Sequence, residues 1–517
     1  MKKTLIFISI TMVLVLCVSL VACNPTDDTT PDTDNRYPII DELVLTETVD
    51  YTTVELNEEK YPALSDQGLF IITGYDKNDY SKVIEVPADD EDNIRNHFDP
   101  AKPTLIIIHG LQLGVGRDGA VYMTTENRAE EVTSSIYNKY VTGGEHPYFD
   151  NDLYREEHDL SKYWFDGCSV NREPYNVFYF HYERFADTID GAGIGAVGAP
   201  TTVVDRIWSR DNGVQAMYFD DATGEYVYTE EDEAIGGYSV AEMFVGEYLR
   251  AFGYVDSLYP QYKEDDRIRT AAHSMGGVVT VASSILLKQV AENGAIDLNL
   301  TPSRHIQMDS YISMPFFKTS ADTKIAWSQK PYVELLNGDG TVDEGNYSPT
   351  ENYLEAIETL VLRYNVAIDY YVLTGLIVPF LGMADWNNET LQWDKNTYPY
   401  DMAFAANRVM AVTTIVIIKP YFAGLNNMVT TAGHNPVREW VLSSYLYDAP
   451  TVTKDGVTYV VPTAAMSNED VIALRGTLFE MRHRDYDGNH LMPGDSDASS
   501  YRTETVRCDD DSFVKLK

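Results

Sequence analysis

The chain has 517 residues, of which 39 are Lys or Arg and 80 are Asp or Glu, so its formal net charge is −41. So strong a negative charge excludes a nucleic-acid partner and argues against electrostatic adsorption to anionic lipid. The length is compatible with two or three domains, or with one α/β domain that carries insertions.

The N-terminus has the pattern of an export signal. Residues 1–3 form a short basic region, and the apolar stretch from Leu5 to Val18 is too short to span a membrane comfortably. It ends at Leu20-Val21-Ala22-Cys23, which resembles the lipobox of bacterial lipoproteins. This resemblance implies that residues 1–22 are a signal peptide and that Cys23 becomes a lipidated N-terminus.

A polar segment follows Cys23. Residues 24–36 are rich in Asp and Thr and carry no apolar side chain large enough to bury. We therefore expect residues 23–36 to form a disordered acidic tether, which would hold the protein at the outer face of a bacterial membrane.

The segment 37–100 is predicted to be β-rich. The stretches Glu42–Val49 and Gly68–Gly74 have the β-branched and apolar composition of strands. We expect them to be either the first strands of the main sheet or a small β-structure beside it.

Two stretches further on are predicted to be core strands. Lys102–Ile108 contains a continuous apolar run, which is typical of a strand buried on both faces of a parallel sheet, and His109-Gly110 follows it. Asn176–Tyr182 is the next core strand. Between them, residues 111–174 form an acidic insertion that contains aromatic residues and lies where a lid would be expected.

A second insertion, at about residues 200–238, precedes a predicted helix. The helix begins with Ser239-Val-Ala-Glu242, the pattern of a capping box. Upstream, residues 193–198 match the G-x-G-x-x-G pattern of dinucleotide loops. Pro200 and a charged stretch stand where the helix of such a loop would begin, so we expect an ordinary turn and no nucleotide cofactor.

The segment Ala272-His273-Ser274-Met275-Gly276-Gly277 differs at one position from the G-x-S-x-G nucleophile elbow. Small residues are needed in this motif because the strand-to-helix turn is tight. The flanking residues fit this pattern, since 267–271 is predicted to be a strand and 277–288 a buried helix that ends near Gly294. We therefore predict that Ser274 is a nucleophile.

A nucleophilic serine also needs donors for the oxyanion. His109-Gly110 lets the backbone turn toward the site after an earlier strand. The expected donors are the backbone N–H groups of Leu111 and Met275, one from each loop.

The acid has two candidates. Asp309 lies near the end of a strand predicted from Arg304, the next strand after the elbow helix. Asp385 follows the strand predicted at 365–373. The short apolar strand that ends near Asp309 resembles the Leu-Asp-Pro segment of pancreatic-type lipases, and this resemblance favours Asp309, with Asp385 as the alternative.

The elbow around Ser274 resembles that of α/β-hydrolases, in which the general base follows the serine in the chain, and this would leave His305, His434, His483 and His490. His434 has the most suitable surroundings. The run 409–418 before it is dense in β-branched residues, as a central strand would be, and Asn435-Pro436 has the pattern of a helix start. His490 is the second choice.

The C-terminal segment 451–517 is predicted to be a β-rich tail, which either covers a sheet edge or forms an appendage. Two cysteines remain after the signal region, Cys168 and Cys508, and they form either one disulfide or two free thiols.

Asp485-Tyr-Asp487-Gly-Asn489 resembles the start of a calcium loop but lacks the required glutamate, so no metal site is expected. The apolar and aromatic cluster within 353–400 is equally compatible with an acyl-binding wall and with buried core.

The residues around Ser274, together with Ile106-Ile107-Ile108-His109-Gly110, resemble those of bacterial lipases of the α/β-hydrolase superfamily over about residues 101–450. The resemblance implies an α/β-hydrolase fold: a mostly parallel central sheet with helices on both faces, large lid or cap insertions and a β-rich tail. It also implies a catalytic triad in the order Ser274, Asp309, His434. Two positions depart from the pattern, namely Ala272 for glycine and Ser310 where pancreatic-type lipases have proline.

These observations lead us to expect an extracytoplasmic, membrane-anchored serine hydrolase that cleaves carboxylic esters through an acyl-enzyme. Its substrate would be an acyl ester, with a lipid as first choice, and it would need no cofactor, nucleic acid or protein partner. A polysaccharide acyl esterase is one alternative, and a non-catalytic lipase-like surface-binding lipoprotein is another.

Overall fold

The computed structural model describes residues 43–44, 49–76, 79–110, 175–186, 207, 214–220, 222–263, 267–310, 334–335, 349–373, 384–387, 390, 392–395, 407–418, 437, 440–441, 444–445, 448–482 and 512–517. Its strands are β1 Leu43–Val44, β2 Gly68–Asp76, β3 Asp79–Pro87, β4 Thr104–Ile108, β5 Asn176–His181, β6 Met217–Asp220, β7 Glu225–Tyr228, β8 Ile268–His273, β9 Arg304–Met308, β10 Glu334–Leu335, β11 Ala367–Leu373, β12 Ala384–Asn387, β13 Gln392–Lys395, β14 Thr414–Ile418, β15 Thr451–Lys454, β16 Val457–Val460, β17 Leu478–Arg482 and β18 Ser512–Lys515. The α-helices are α1 Glu91–His97, α2 Glu183–Ala186, α3 Val240–Leu258, α4 Gly276–Glu292, α5 Pro349–Leu362 and α6 Asn468–Ala473.

The architecture is α/β, built on a ten-stranded and mostly parallel sheet. The strand order is β18-β17-β14-β11-β9-β8-β4-β5-β2-β3. The seven strands from β17 to β5 are parallel, whereas β18 at one end and β2 and β3 at the other are antiparallel to their neighbours. Every residue of β4, β5, β8, β9 and β14 is buried, as expected for strands covered on both faces.

Two adjacent tyrosines of β11 show that helical segments pack on both faces of the sheet. The Tyr370 hydroxyl lies 2.7 Å from that of Tyr353 on α5. The ring of Tyr371 packs instead on Trp440, with 5.8 Å between centroids. Successive side chains of a strand point to opposite faces, so α5 and the helical turn at Trp440 lie on opposite sides of the sheet.

Helix α3 begins with the predicted capping box. The backbone N–H of Glu242 donates to the Ser239 hydroxyl oxygen at 3.2 Å, and the backbone N–H of Ser239 donates to the Glu242 carboxylate at 2.9 Å. Met243, Phe244, Tyr248 and Leu249 are buried, as the helical spacing predicts. The helix packs beside α4, which is buried along nearly its whole length and carries the residues that follow Ser274.

The C-terminal segment completes the sheet. Strand β17 pairs in parallel with β14, and β18 caps it in antiparallel fashion, so this segment covers a sheet edge. Among the described strands of this segment, the hairpin β15–β16 stands outside the central sheet. Its turn at Asp455-Gly456 has φ values of 54° and 79°, the left-handed pair that favours a two-residue hairpin.

A buried ion pair ties this segment to the middle of the sheet. Arg304 and Asp369 are both fully buried, and Arg304 Nη2 lies 2.7 Å from Asp369 Oδ2. The same guanidinium donates to the carbonyl oxygens of Thr463, Ala464 and Met466. One side chain therefore bonds a buried carboxylate 65 residues away in sequence and three neighbouring backbone acceptors that lie 159 to 162 residues away.

One predicted element differs from the structure. The run 409–418 was expected to be one strand, but residues 407–412 are helical and β14 begins only at Thr414. The Thr413 hydroxyl and its backbone N–H both bond to the carbonyl of Val409, which closes the helix before the strand starts. Of the strand expected at 42–49, the structure describes a two-residue strand, β1. Within the described ranges, no helix has the length and apolar composition needed to cross a bilayer.

Candidate active site

Ser274 lies on a tight turn between β8 and α4. Its φ is +55°, a left-handed conformation that is uncommon for residues other than glycine. The backbone N–H of Ser274 donates to the carbonyl oxygen of Met308 at 3.0 Å, so the turn is anchored to the neighbouring strand β9. This is the strand-turn-helix geometry that the sequence around Ser274 predicts.

Three glycines around Ser274 are required by close contacts. A methyl group on Gly110 would lie 2.6 Å from the Ser274 Cβ. One on Gly276 would lie 2.3 Å from the carbonyl oxygen of His109, and one on Gly277 would lie 2.2 Å from the Ser310 hydroxyl. The loop after β4, the start of α4 and the loop after β9 therefore meet at Ser274.

His109 is fully buried and fixes the loop after β4. Its Nδ1 lies 2.6 Å from the carbonyl oxygen of Gly110, and only a protonated Nδ1 can donate to that acceptor. Its Nε2 accepts from the backbone N–H of Tyr182 at 3.4 Å, and the Tyr182 ring stacks on the imidazole at 4.2 Å. The Tyr182 hydroxyl donates to the His109 carbonyl at 2.7 Å. These contacts hold the imidazole as the neutral Nδ1–H tautomer and orient the Gly110 carbonyl.

The start of α4 offers a backbone donor beside Ser274. Met275 is the N-cap residue, with helical φ and ψ of −61° and −26°. No hydrogen bond from its backbone N–H is found within the described part of the chain. The N-terminus of a helix also carries a partial positive charge, which favours an anion at this point.

Asp309 follows β9 as Ser274 follows β8. It is 2 % exposed, and its φ of +46° is again left-handed. Its backbone N–H donates to the carbonyl oxygen of Tyr371 on β11 at 2.7 Å. Because His273 is in register with Met308, Ser274 and Asp309 leave adjacent strands at the same level of the sheet.

His305 does not have the surroundings of a general base. It is buried near the amino end of β9, where its Nδ1 lies 2.8 Å from the Thr270 hydroxyl. Burial and the nearby charge of Lys288 lower the pKa of His305 to about 3, so the ring stays neutral at physiological pH. It also lies four positions before Asp309 along the strand that carries both residues.

Several predicted residues lie outside the described part of the chain. They are Cys23, Leu111, Cys168, the loop at 193–198, His434, His483, Asp485, Asp487, Asn489, His490 and Cys508. Strand β14, which precedes His434 in sequence, ends at the same edge of the sheet as β8 and β9. The alternative acid Asp385 lies on β12, which pairs only with β13 in a separate hairpin.

The sequence analysis missed a buried charged cluster next to His109. His181 is fully buried, with Nδ1 2.7 Å from Glu183 Oε1 and Nε2 2.8 Å from Glu85 Oε2. The other oxygen of Glu183 lies 3.9 Å from His109 Nε2. Both nitrogens of the buried His181 ring therefore lie within hydrogen-bonding distance of a carboxylate oxygen. The available signal was a His at the end of an apolar strand and a Glu just beyond it, at 181 and 183.

The described residues contain no group of three or more His, Cys, Asp or Glu side chains arranged to hold a metal ion. No protein-family model matches the chain, and none of the curated proteins is significantly similar to it.

Proposed function

We propose that this chain is a serine hydrolase of the α/β-hydrolase type that cleaves carboxylic esters, acting as a lipase or carboxylesterase. The observation that carries the proposal is the left-handed Ser274 between β8 and α4, with Asp309 in the corresponding position beyond the adjacent strand. A non-glycine residue held at positive φ costs stability, and such residues concentrate at functional sites.

In the proposed reaction the Ser274 oxygen attacks the acyl carbon of the ester and forms a tetrahedral intermediate. His434 takes the serine proton and delivers it to the leaving alcohol, and Asp309 orients the imidazole and stabilises its charged form. The backbone N–H groups of Leu111 and Met275 donate to the oxyanion. Water then attacks the acyl-enzyme with His434 as base, which releases the acid and restores the serine.

The same proposal includes the location of the enzyme. Lipidation at Cys23 would anchor the chain to the outer face of a bacterial membrane, with residues 24–36 as a spacer. An enzyme held there meets acyl esters of lipids at high local concentration, which supports a lipid as the first-choice substrate.

The test is labelling with a fluorophosphonate, which reacts with activated serines, followed by mapping of the modified peptide. We expect labelling at Ser274 in the mature chain and none in the Ser274→Ala variant. Hydrolysis of p-nitrophenyl esters should be lost in the same variant. Labelling at another serine, or full ester turnover by Ser274→Ala, would contradict the proposal. A preference for long over short acyl chains would separate a lipase from an acetyl esterase.

A further inference from the structure

The turn that carries Asp309 is in contact with the nucleophile elbow through two side chains that the proposed reaction does not use. Ser310 and Gln307 are 1 % and 0 % exposed, and the Ser310 hydroxyl donates to Gln307 Oε1 at 2.5 Å. This bond spans Asp309, so it closes the backbone around the residue with positive φ.

The same two side chains pack against the first turn of α4. A methyl group added to Gly277 would lie 2.2 Å from the Ser310 hydroxyl and 2.4 Å from Gln307 Oε1. The pair therefore lies directly on the backbone of the helix that follows Ser274. Together with the bond from Ser274 to the Met308 carbonyl, this contact makes the elbow and the Asp309 turn one unit.

Stability alone does not account for a glutamine at position 307. Its Nε2 is buried, and no hydrogen-bond partner for it is found among the described residues. A buried amide must have its hydrogen bonds made or it costs stability, whereas a methionine of similar size makes no such demand. The presence of Gln307 is better explained by the geometry that its side chain imposes on the turn around Asp309.

We propose that Ser310 and Gln307 are positioning residues for Asp309: they fix its left-handed turn against the nucleophile elbow and so set the distance between acid and nucleophile. This inference rests on the proposed function, because it assigns the pair a role through Asp309. It also assigns a role to Ser310, which stands at the position where pancreatic-type lipases have proline. Proline fixes the backbone covalently, and here a hydrogen bond to Gln307 does so.

The test uses Ser310→Ala, Gln307→Met and the double variant in the full mature chain, with a p-nitrophenyl ester as probe. Misplacement of a catalytic group by about 1 Å costs roughly a hundredfold in rate, so we expect kcat to fall between about tenfold and about a hundredfold with KM within about twofold. The double variant leaves neither partner unpaired and should unfold at the temperature of the wild type or above.

The pH profile distinguishes positioning from simple structural support. A carboxylate that is well placed favours the charged imidazole, so a displaced Asp309 should move the acidic limb of kcat/KM to lower pH. The matched control is Ser303→Ala at the opposite end of β9, where the hydroxyl bonds the carbonyl of Ile268 and accepts from Asn468. It should lower stability without changing the pH profile.

Two further outcomes are decisive. If wild-type turnover depends on Ser274 but the pair variants keep the wild-type kcat and pH profile, the positioning role is wrong while the hydrolase proposal stands. If wild-type protein shows no turnover that Ser274→Ala removes, the hydrolase proposal fails, and the positioning role fails with it.

Discussion

Ser274 and Asp309 each adopt a left-handed conformation one residue beyond the carboxyl ends of two adjacent parallel strands, with φ values of 55° and 46°. Each donates its backbone N–H to a carbonyl of the next strand, Ser274 to Met308 and Asp309 to Tyr371. The two strained turns are thus supported by the sheet itself, and the remaining contacts around them can be tested one at a time.

Ser274→Gly should separate stability from activity. Glycine adopts positive φ without strain, so we expect the free energy of unfolding to rise by about 1 kcal/mol while ester turnover disappears. Urea denaturation and an ester assay on the same preparation provide the measurement. A variant that is clearly less stable than Ser274→Ala would show that the turn is not strained.

Gly110→Ala should impair catalysis through the contact with the Ser274 Cβ, because its methyl group would lie 2.6 Å from that atom. We expect kcat to fall by roughly a hundredfold as the serine is displaced. The control is Gly253→Ala on α3, where an added methyl group meets nothing within 4 Å. It should leave activity unchanged and stabilise the helix by about 1 kcal/mol. Equal activity of Gly110→Ala and Gly253→Ala would contradict the prediction.

The candidate bases can be separated by substitution. His434→Ala should lower kcat by a factor on the order of 10⁴ or more, as expected for loss of the general base. His305→Asn should lower the melting temperature, because the bond to Thr270 is disturbed, but keep kcat. His490→Ala should behave as the wild type in both measurements. A large loss of kcat in His490→Ala instead would transfer the role of base to that residue.

Glu247 should make the fold less stable as pH rises. Burial on α3 raises its pKa from 4.5 to about 7, despite the nearby Arg250. Between these two values the folded chain binds more protons than the unfolded chain, so the free energy of unfolding falls with increasing pH. One pKa unit corresponds to about 1.4 kcal/mol, so the effect amounts to a few kcal/mol across the window.

The measurement is urea denaturation of wild type and Glu247→Gln at several pH values from 4 to 8. As pH rises, the free energy of unfolding of Glu247→Gln should increase relative to that of the wild type. The control is Glu469→Gln, at an exposed position on α6. Its free energy of unfolding should depend on pH in the same way as that of the wild type. If the Glu247→Gln curve also runs parallel, the pKa of Glu247 is the same in the folded and unfolded chain and the prediction is wrong.

Arg304→Met should destabilise the whole sheet. It leaves the Asp369 carboxylate and the Thr463 carbonyl without their donor in a buried environment, and breaking a buried pair in this way costs about 3–5 kcal/mol. The carbonyls of Ala464 and Met466 keep a hydrogen bond from Arg269. Arg363→Met breaks a partly exposed pair with Glu292 and should cost less than about 1 kcal/mol. Chemical denaturation of both variants checks the contrast, and equal losses would contradict it.

Local signals predicted the elements around Ser274 well. The strand before it, the helix after it, the end of that helix near Gly294 and the capping box of α3 all depend on residues close in sequence, and the structure has each of them. The strand that delivers Asp309 was predicted for the same reason. These are cases in which the short-range pattern and the final fold agree.

Other features could not be derived from local patterns. The valines and threonines before β14 suggested a strand, but residues 407–412 form a helix, because tertiary packing overrides weak propensity. The position of β17 and β18 in the central sheet depends on pairing between distant segments. Buried ionisable residues such as Arg304 and His181 cannot be distinguished from exposed ones in the sequence, because their burial depends on partners that are distant in the chain.

The order of strands in the sheet has a consequence for biogenesis. Among the described strands, β14 is covered on its outer side by β17, and β17 in turn by β18. A chain in which residues 478–515 have not yet joined the sheet therefore presents a fully buried strand, Thr414–Ile418, as an open edge that can pair with other chains. Protection of this edge should thus be one of the last steps of folding, because it depends on strands far from β14 in sequence.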